Sequence, residues 1–382
     1  MSPGARVAEK RRRVLIAVEQ LRWRVPGGIG AYATGLLNGL AGIEDGAAVD
    51  VTLLASRAPR QGDPLARFGR PVITSPLPGP LLTRAWDRRI VHAPEGFGIV
   101  HAVSLAAPML RRSSRSRLVM TVHDLAWRRH PETTTARGRR WHESALRRAR
   151  DGAAALVVPS RLVAADLIAD GVDPARITIV PGGSDHLADP DPAGTDELLR
   201  RAGVTGEFLL TVSTLEPRKN VDRLVRAFAR VRPVLPEPWP LVIVGPAGWG
   251  PEPAGPRNAA GVVLAGAVPD AVLSELYRRA RAFACVPLTE GYGLPPLEAM
   301  RMGTPSVVAS EVPSVHDLGQ PRPPPARIVD PYDVEDMASG IADVLTNDAV
   351  RTDLAARGTE YARSRTWRAA ARDHIALWSS LQ

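Results

Sequence analysis

Cysteine is almost missing from this chain of 382 residues, where Cys285 stands alone. One thiol forms neither an internal disulfide framework nor a multi-cysteine metal site, and such a chain suits a reducing cytoplasm. Lysine is nearly as scarce, with Lys10 and Lys219 set against 47 arginines. Long apolar runs are lacking too. The run 14–18 follows the basic run 10–13 in the manner of a signal peptide, but Glu19, Arg22 and Arg24 end it after five residues. No stretch approaches the roughly 20 apolar residues that span a bilayer. What remains is 45% hydrophobic and 23% charged, the balance of a folded globular protein. The length suits two α/β domains better than one core.

The net charge of +9 is uneven. Residues 1–188 hold 28 basic and 16 acidic side chains, a net of +12, whereas 189–382 carry a net of −3. Such asymmetry points the first half at an anionic partner, or else marks a solvated, arginine-rich surface. No nucleic-acid-binding motif accompanies the charge, so nucleic acid is not the expected partner. Two arginine clusters stand out, 111–117 and 137–150. In the second, Trp141, Ala145 and Leu146 interleave with Arg139, Arg140, Arg147 and Arg148. That spacing predicts a helix with a cationic face and an aromatic edge, suited to anionic lipid headgroups.

Short β-branched runs alternate with helical stretches along the whole chain, the pattern of parallel α/β sheets. Strands are predicted at 13–18, 49–55, 71–74, 98–102, 117–122, 154–158 and 177–180. A second set falls at 207–212, 240–244, 261–264, 281–286, 305–308 and 327–329. Most are unbroken apolar runs, as expected for strands covered on both faces. The Pro/Gly-rich junction 189–194 separates the sets, and helices are predicted at 196–203 and 220–232. The Pro-rich stretch 321–325 reads as a surface loop. The expected fold is two facing, Rossmann-like, doubly wound domains, 1–188 and 189–365, with a cleft between them.

The densest chemistry is Glu290-Gly291-Tyr292-Gly293-Leu294-Pro295-Pro296-Leu297-Glu298. A buried strand ends just before it and a helix begins near the prolines, which are favoured in a first helical turn. The free N–H groups and positive dipole end of that helix suit a diphosphate. Glu290 is expected in the turn and Glu298 in the first helical turn, at two levels of one pocket. Upstream, Glu216-Pro217-Arg218-Lys219-Asn220 follows the first strand of the second set. A lysine in so arginine-biased a chain is unlike a chance surface cation. Arg218 offers phosphate a bidentate fork and Lys219 a point charge.

In the first half, Gly27, Gly28 and Gly30 follow the first strand, where backbone N–H groups can reach a phosphate. They do not match the dinucleotide fingerprint Gly-x-Gly-x-x-Gly. His123 and Asp124 sit at the end of a predicted strand, where α/β sites collect polar groups, although Asp124 can also serve simply as a cap. The other seven histidines, at 92, 101, 130, 142, 186, 316 and 374, have no such context and read as structural.

The Glu-x7-Glu pattern of Glu290 and Glu298 resembles the signature of retaining GT-B glycosyltransferases, specifically glycosyltransferase family four. That resemblance implies that Glu290 contacts a donor hexose and Glu298 holds the nucleotide ribose. It gives the backbone of Gly291, Tyr292, Gly293 and Leu294 to hexose and phosphate. Tyr292 stands where the family usually has Phe. Glu-Pro-Arg-Lys-Asn is similar to the family's phosphate loop, which makes Arg218 and Lys219 donor and catalytic residues. Many relatives carry an arginine at the position of Thr214, a task that falls here to Arg218. Gly28 and Gly30 match the family's Gly-Gly-x-Gly loop, near diphosphate and acceptor. His123 is expected near the donor sugar, oriented by Asp124. The stretch 245–268 is expected beside the base, and a last helix, about 366–382, is expected to cross back onto the first domain.

The implied activity is transfer of a hexose from a nucleoside-diphosphate sugar to a glycan or lipid-linked acceptor, with GDP-mannose as the expected donor. It would take place in the cytoplasm, or on the inner face of the membrane. No cofactor and no metal are expected, because Asp189-Pro190-Asp191 lies in the junction and not at a strand end. Two other readings stay open at this stage: a GT-B-type sugar-nucleotide epimerase and a non-catalytic sugar-nucleotide-binding protein.

Overall fold

A computed structural model describes residues 12–43, 49–237, 239–248, 259–316 and 323–381. Lys10, Pro321, Gln382 and the part 249–258 of the stretch expected beside a base lie outside the described residues. The first half forms a seven-stranded sheet of β1 (Arg12–Ala17), β2 (Val49–Ala55), β3 (Val72–Thr74), β4 (Ile99–Ala102), β5 (Arg117–Thr121), β6 (Ala155–Val158) and β7 (Ile177–Ile179). Around it lie α1 (Gly27–Ala41), α2 (Gly79–Asp87), α3 (Ala126–Arg129), α4 (Ala136–Gly152) and α5 (Arg161–Ala169). The second half forms a six-stranded sheet of β8 (Leu209–Val212), β9 (Leu241–Val244), β10 (Val262–Gly266), β11 (Ala282–Cys285), β12 (Ser306–Ala309) and β13 (Arg327–Val329). Its helices are α6 (Pro192–Arg201), α7 (Val221–Val231), α8 (Asp270–Arg279), α9 (Leu294–Arg301), α10 (Val334–Thr346) and α11 (Asp348–Arg363), and α12 (Trp367–Ser380) ends the chain. Every predicted strand is present, with ends that agree to within two residues.

The sheets run β3-β2-β1-β4-β5-β6-β7 and β10-β9-β8-β11-β12-β13, and all their strand pairs are parallel. The order reverses between β1 and β4 and between β8 and β11. At such a reversal the following loops leave in opposite directions and open a crevice at the carboxyl edge. Covered on both faces, the central strands are fully buried along Leu15, Ile16, Leu209 and Leu210, which accounts for their unbroken apolar sequence.

The connector between the two sheets docks onto the second half from residue 188 onward. Ala188 accepts a hydrogen bond from the Ser274 hydroxyl of α8, and Asp191 N donates to Ala271 O. The Asp191 carboxylate accepts from Gly194 N and caps α6, so it is spent on a helix end. The chain crosses again at its end, where α12 packs along α1. Two glycines make that approach possible: a Cβ on Gly35 would lie 2.0 Å from the Trp367 ring, and one on Gly39 would lie 2.2 Å from the Trp367 carbonyl oxygen. Trp367 and Trp378 are buried as a result.

α12 also brings His374 into the first core, beside His101 of β4. The Tyr32 hydroxyl and His374 Nε2 are 2.8 Å apart, and His101 Nε2 lies 3.0 Å from the Thr121 hydroxyl. Burial depresses both imidazoles, His374 to about 4. A folded-state value below the unfolded 6.5 means that the unfolded chain binds the proton better. Stability from the neutral ring is therefore present above pH 6.5 and lost as the pH falls towards 4. His374 alone is expected to cost about 2 kcal/mol between pH 7 and pH 5. Thermal unfolding at the two pH values measures it, and an unchanged Tm would contradict the burial of a neutral ring.

Candidate active site

The crevice at the β8/β11 reversal is lined by the two loops that carry the acidic and basic residues singled out above. After β8 the chain passes through a short turn at Pro217–Lys219 into α7. Asn220 makes that junction with φ at 61°, a left-handed conformation that asparagine tolerates better than most residues. Its side-chain amide donates to Val286 O at 2.9 Å and to Pro331 O at 2.8 Å, tying three loops together. Leu288 N donates to Arg218 O at 2.9 Å, so the loops after β8 and β11 form one surface. Sequence reasoning gave Asn220 no role. Its signal was a polar residue ending the phosphate-loop motif just before a helix.

Arg218, Lys219 and Glu290 meet directly. One Arg218 nitrogen donates to Glu290 Oε2 and to Thr289 O, each at 3.1 Å, and the other donates to Glu216 Oε1 at 2.8 Å. Lys219 Nζ donates to Glu290 Oε1. Both cations are already paired, their side chains only 17% and 19% exposed. Glu216, which sequence reasoning passed over, is the buried partner that fixes the far side of the Arg218 fork. Burial pushes the Glu290 carboxyl up, and Lys219 and Arg218 more than reverse this, leaving it below the usual carboxylate range. Burial likewise disfavours charge on Arg218, which Glu290, Asp124 and Glu216 overcome. The pair is ionised at neutral pH, with the glutamate seated where another anion could sit.

Gly293 caps α9 with φ at 99°, and a Cβ there would lie 2.4 Å from a methyl of Val312. Pro295 falls in the first turn, as the sequence suggested. Glu298 is the fifth residue of α9 and so lies in its second turn, one level deeper than expected. Its Oε1 is 3.1 Å from His186 Nε2, and its Oε2 accepts from the Tyr277 hydroxyl at 2.9 Å. His186 therefore stands apart from the other histidines read as structural. Only the fold brings the 180–191 connector against α9.

The first domain meets this surface at the end of β5. His123 Nε2 lies 2.7 Å from Val103 O. A carbonyl only accepts, so the ring proton is on Nε2 and Nδ1 remains the acceptor. Burial lowers the His123 pKa and keeps the ring neutral. Asp124 does not hold this ring through a hydrogen bond: its Oδ1 accepts from Ala126 N at 2.9 Å, a local turn bond, and the N-cap position of α3 is Leu125. Tyr32 of α1 meets His123 edge-on, with ring centroids 4.8 Å apart. Gly28 and Gly30 lie in the first turn of α1, which a short turn at Glu19–Arg22 separates from β1. Gly28 has open space at its Cβ position, whereas a Cβ on Gly30 would lie 2.2 Å from Pro26.

Across the cleft, Gly291 touches the His123 backbone. The Ser160 hydroxyl donates to Gly291 O at 2.6 Å, and the Tyr292 hydroxyl donates to Gly182 O at 3.0 Å. That phenolic oxygen, absent from the phenylalanine common at this position, adds a hydrogen bond between the domains. The fold thus gathers His123, Asp124, Arg218, Lys219, Glu290 and the 291–294 turn around one crevice.

Comparison with known proteins gives family matches over both halves of the chain. Residues 26–186 match the family described as Glycosyltransferase Family 4, and residues 200–365 match Glycosyl transferases group 1. The O-antigen chain mannosyltransferase B of Escherichia coli is 30% identical over 268 residues, which cover 66% of this chain and 67% of that protein. The Escherichia coli serotype-specific mannosyltransferase WbdA is 29% identical over 180 residues, 45% of this chain but only 21% of that longer protein. Among solved structures, Anabaena HepE in complex with UDP and glucose superposes with a TM-score of 0.68 at 17% identity, covering 97% of this chain and 100% of that one.

Proposed function

The chain belongs to glycosyltransferase family 4 and has the GT-B fold, and from that premise we propose that it transfers mannose from GDP-mannose, with retention of configuration, to a glycan or lipid-linked acceptor of the cell envelope. The observation that carries the reading is Glu290 seated on Arg218 and Lys219 at the β8/β11 reversal. A donor diphosphate competes for those two cations. Once displaced, the Glu290 carboxylate is free to accept from hexose hydroxyls, while Glu298 accepts from the ribose.

In this reading the diphosphate departs with its growing charge held by Arg218, Lys219 and the Gly293 and Leu294 N–H groups at the start of α9, where Pro295 and Pro296 offer none. No protein carboxylate serves as a nucleophile in this reading: Glu290 accepts from hexose hydroxyls, and Asp124 accepts from Ala126 N. The acceptor hydroxyl then attacks from the face the diphosphate leaves, and the leaving phosphate takes its proton. The mannosyltransferase names of the relatives favour mannose. A donor panel assayed for nucleoside-diphosphate release and for product anomer tests the proposal. GDP-mannose should give the highest kcat/KM, and the new bond should keep the donor's α-configuration. An inverted product, or interconverted sugar nucleotides with no transfer, would overturn it. Activity should persist in excess EDTA, because the side-chain cations do the work of a divalent ion. Loss in EDTA with recovery in Mg²⁺ or Mn²⁺ would contradict that part.

Among the described residues no helix is long and apolar enough to cross a membrane. For a lipid-linked acceptor we propose contact with an anionic surface through α4, on a narrower face than the sequence suggested. Arg148 pairs with Asp87, the Trp141 indole also donates to Asp87, and Arg139 donates to Pro131 O and Thr134 O. Ala145 and Leu146 are core. Arg137, Arg140 and Arg147 remain exposed along one side. Co-sedimentation with anionic vesicles should weaken in salt and when these three become Gln. Equal binding to neutral vesicles, or none, would favour a soluble acceptor.

A further inference from the structure

We propose that His186 is a positioning residue of the donor site: together with Tyr277 it locks the Glu298 carboxylate to receive a vicinal diol, and it ties that pocket to both chain crossings between the domains. The inference rests on the reading of Glu298 as the ribose-holding glutamate.

The argument begins with the tautomer. Trp367 Nε1 donates to His186 Nδ1 at 3.1 Å. An indole N–H is a donor only, so Nδ1 supplies its lone pair and the ring proton resides on Nε2. Nε2, 3.1 Å from Glu298 Oε1, is then the donor to that oxygen. The Tyr277 hydroxyl donates to the other oxygen at 2.9 Å. The two side chains of the His186–Glu298 pair are only 5% and 7% exposed, and Tyr277 is fully buried, so water does not compete for these bonds.

A carboxylate has about four lone-pair directions. Two are taken, one on each oxygen, and one on each oxygen remains, the arrangement that accepts from two neighbouring hydroxyls. A glutamate held by one oxygen alone would still rotate about its terminal bond. Held by both, it has already lost the rotamer freedom that binding would otherwise cost.

His186 is itself held by the fold. Asp185 accepts from Trp367 N at 2.8 Å, and the Ser184 hydroxyl donates to Ala362 O at 2.9 Å. A Cβ on Gly183 would lie 2.2 Å from Trp367 N. The segment between β7 and α6 is thus clamped to the junction of α11 and α12, the second place where the chain passes between domains. His186 is the side chain that reaches from this clamp to α9. The indole N–H that sets its tautomer belongs to the helix that packs along α1, beside His123. The imidazole thus adds a link between donor pocket and first domain to the Ser160–Gly291 and Tyr292–Gly182 hydrogen bonds.

The test uses the full chain, with GDP and UDP and their 2′,3′-dideoxy forms as calorimetric probes, and donor kinetics alongside. For whichever nucleotide the wild type binds, His186→Leu should raise Kd and donor KM about tenfold, the equivalent of one newly mobile side chain, while kcat changes less than about twofold. The dideoxy form should bind His186→Leu and wild type alike, because it offers no hydroxyls to the carboxylate. His186→Gln, which keeps one donor and one acceptor, should restore most of the loss. Tyr277→Phe should behave like His186→Leu and serves if the latter does not fold. Equal losses for ribo and dideoxy nucleotides would reduce His186 to a packing role and overturn the proposal, as would unchanged binding. A wild type that binds neither nucleotide would remove the donor-site reading itself, and this role with it.

Discussion

Lys219→Ala is expected to lower turnover about 100-fold or more while leaving the fold intact. The side chain is a charge aimed at the position where the leaving diphosphate gains negative charge, and losing one preorganised contact of that kind costs about 3–4 kcal/mol of barrier. Its removal leaves Glu290 still paired with Arg218, so no buried carboxylate is stranded. Arg218→Ala should be at least as damaging to turnover but not as clean. It strips a partner from both Glu216 and Glu290, the first nearly inaccessible and the second 12% exposed. Breaking such a network should cost about 2–3 kcal/mol of stability, at or below the range for a fully buried pair because the groups retain some solvent. Steady-state kinetics over a donor series, with thermal unfolding of each variant, separates the two effects. Near-wild-type turnover in both variants would remove the proposed phosphate site.

Gly291→Ala is expected to separate donor binding from transfer. A Cβ at Gly291 would lie 1.7 Å from the His123 carbonyl oxygen and 2.8 Å from the Asp124 Cβ, contacts no packed structure accommodates. Gly291 belongs to the second domain and His123 to the first, so the added methyl acts as a wedge between them. The backbone of Gly291 is not left-handed, and alanine fits it without local strain. Nucleoside-diphosphate affinity, a property of the second domain in our reading, should stay within about threefold of wild type. A displacement on the ångström scale between donor and acceptor groups lowers kcat about 100-fold. Gly293→Ala provides the contrast. There the obstruction is Val312 in the same domain and φ is 99°, so the cost should appear as lost stability of about 1–3 kcal/mol. If Gly291→Ala transfers sugar at the wild-type rate, the contact with His123 is not part of the working conformation.

The sequence by itself determined the architecture. Thirteen short apolar runs alternating with helical stretches leave few alternatives to two doubly wound sheets, because parallel strands must be buried on both faces and therefore show no polar alternation. It also singled out Glu290, Glu298, Arg218 and Lys219, since glycines and prolines mark the turns at strand ends where such sheets bind ligands. Tertiary structure alone decided which charges pair. Lys219 and Glu290 lie 71 residues apart, and nothing local indicates that the glutamate sits on the cations. It also decided that Asp124 accepts from Ala126 N and makes no hydrogen bond to His123, that Trp141 and Arg148 of the arginine-rich helix turn inward to Asp87, and that His186 meets Glu298. Hydrophobic periodicity is short-ranged and survives in one dimension. Partner choice among charged and hydrogen-bonding groups depends on which loops a sheet reversal brings together, and that is settled only in three.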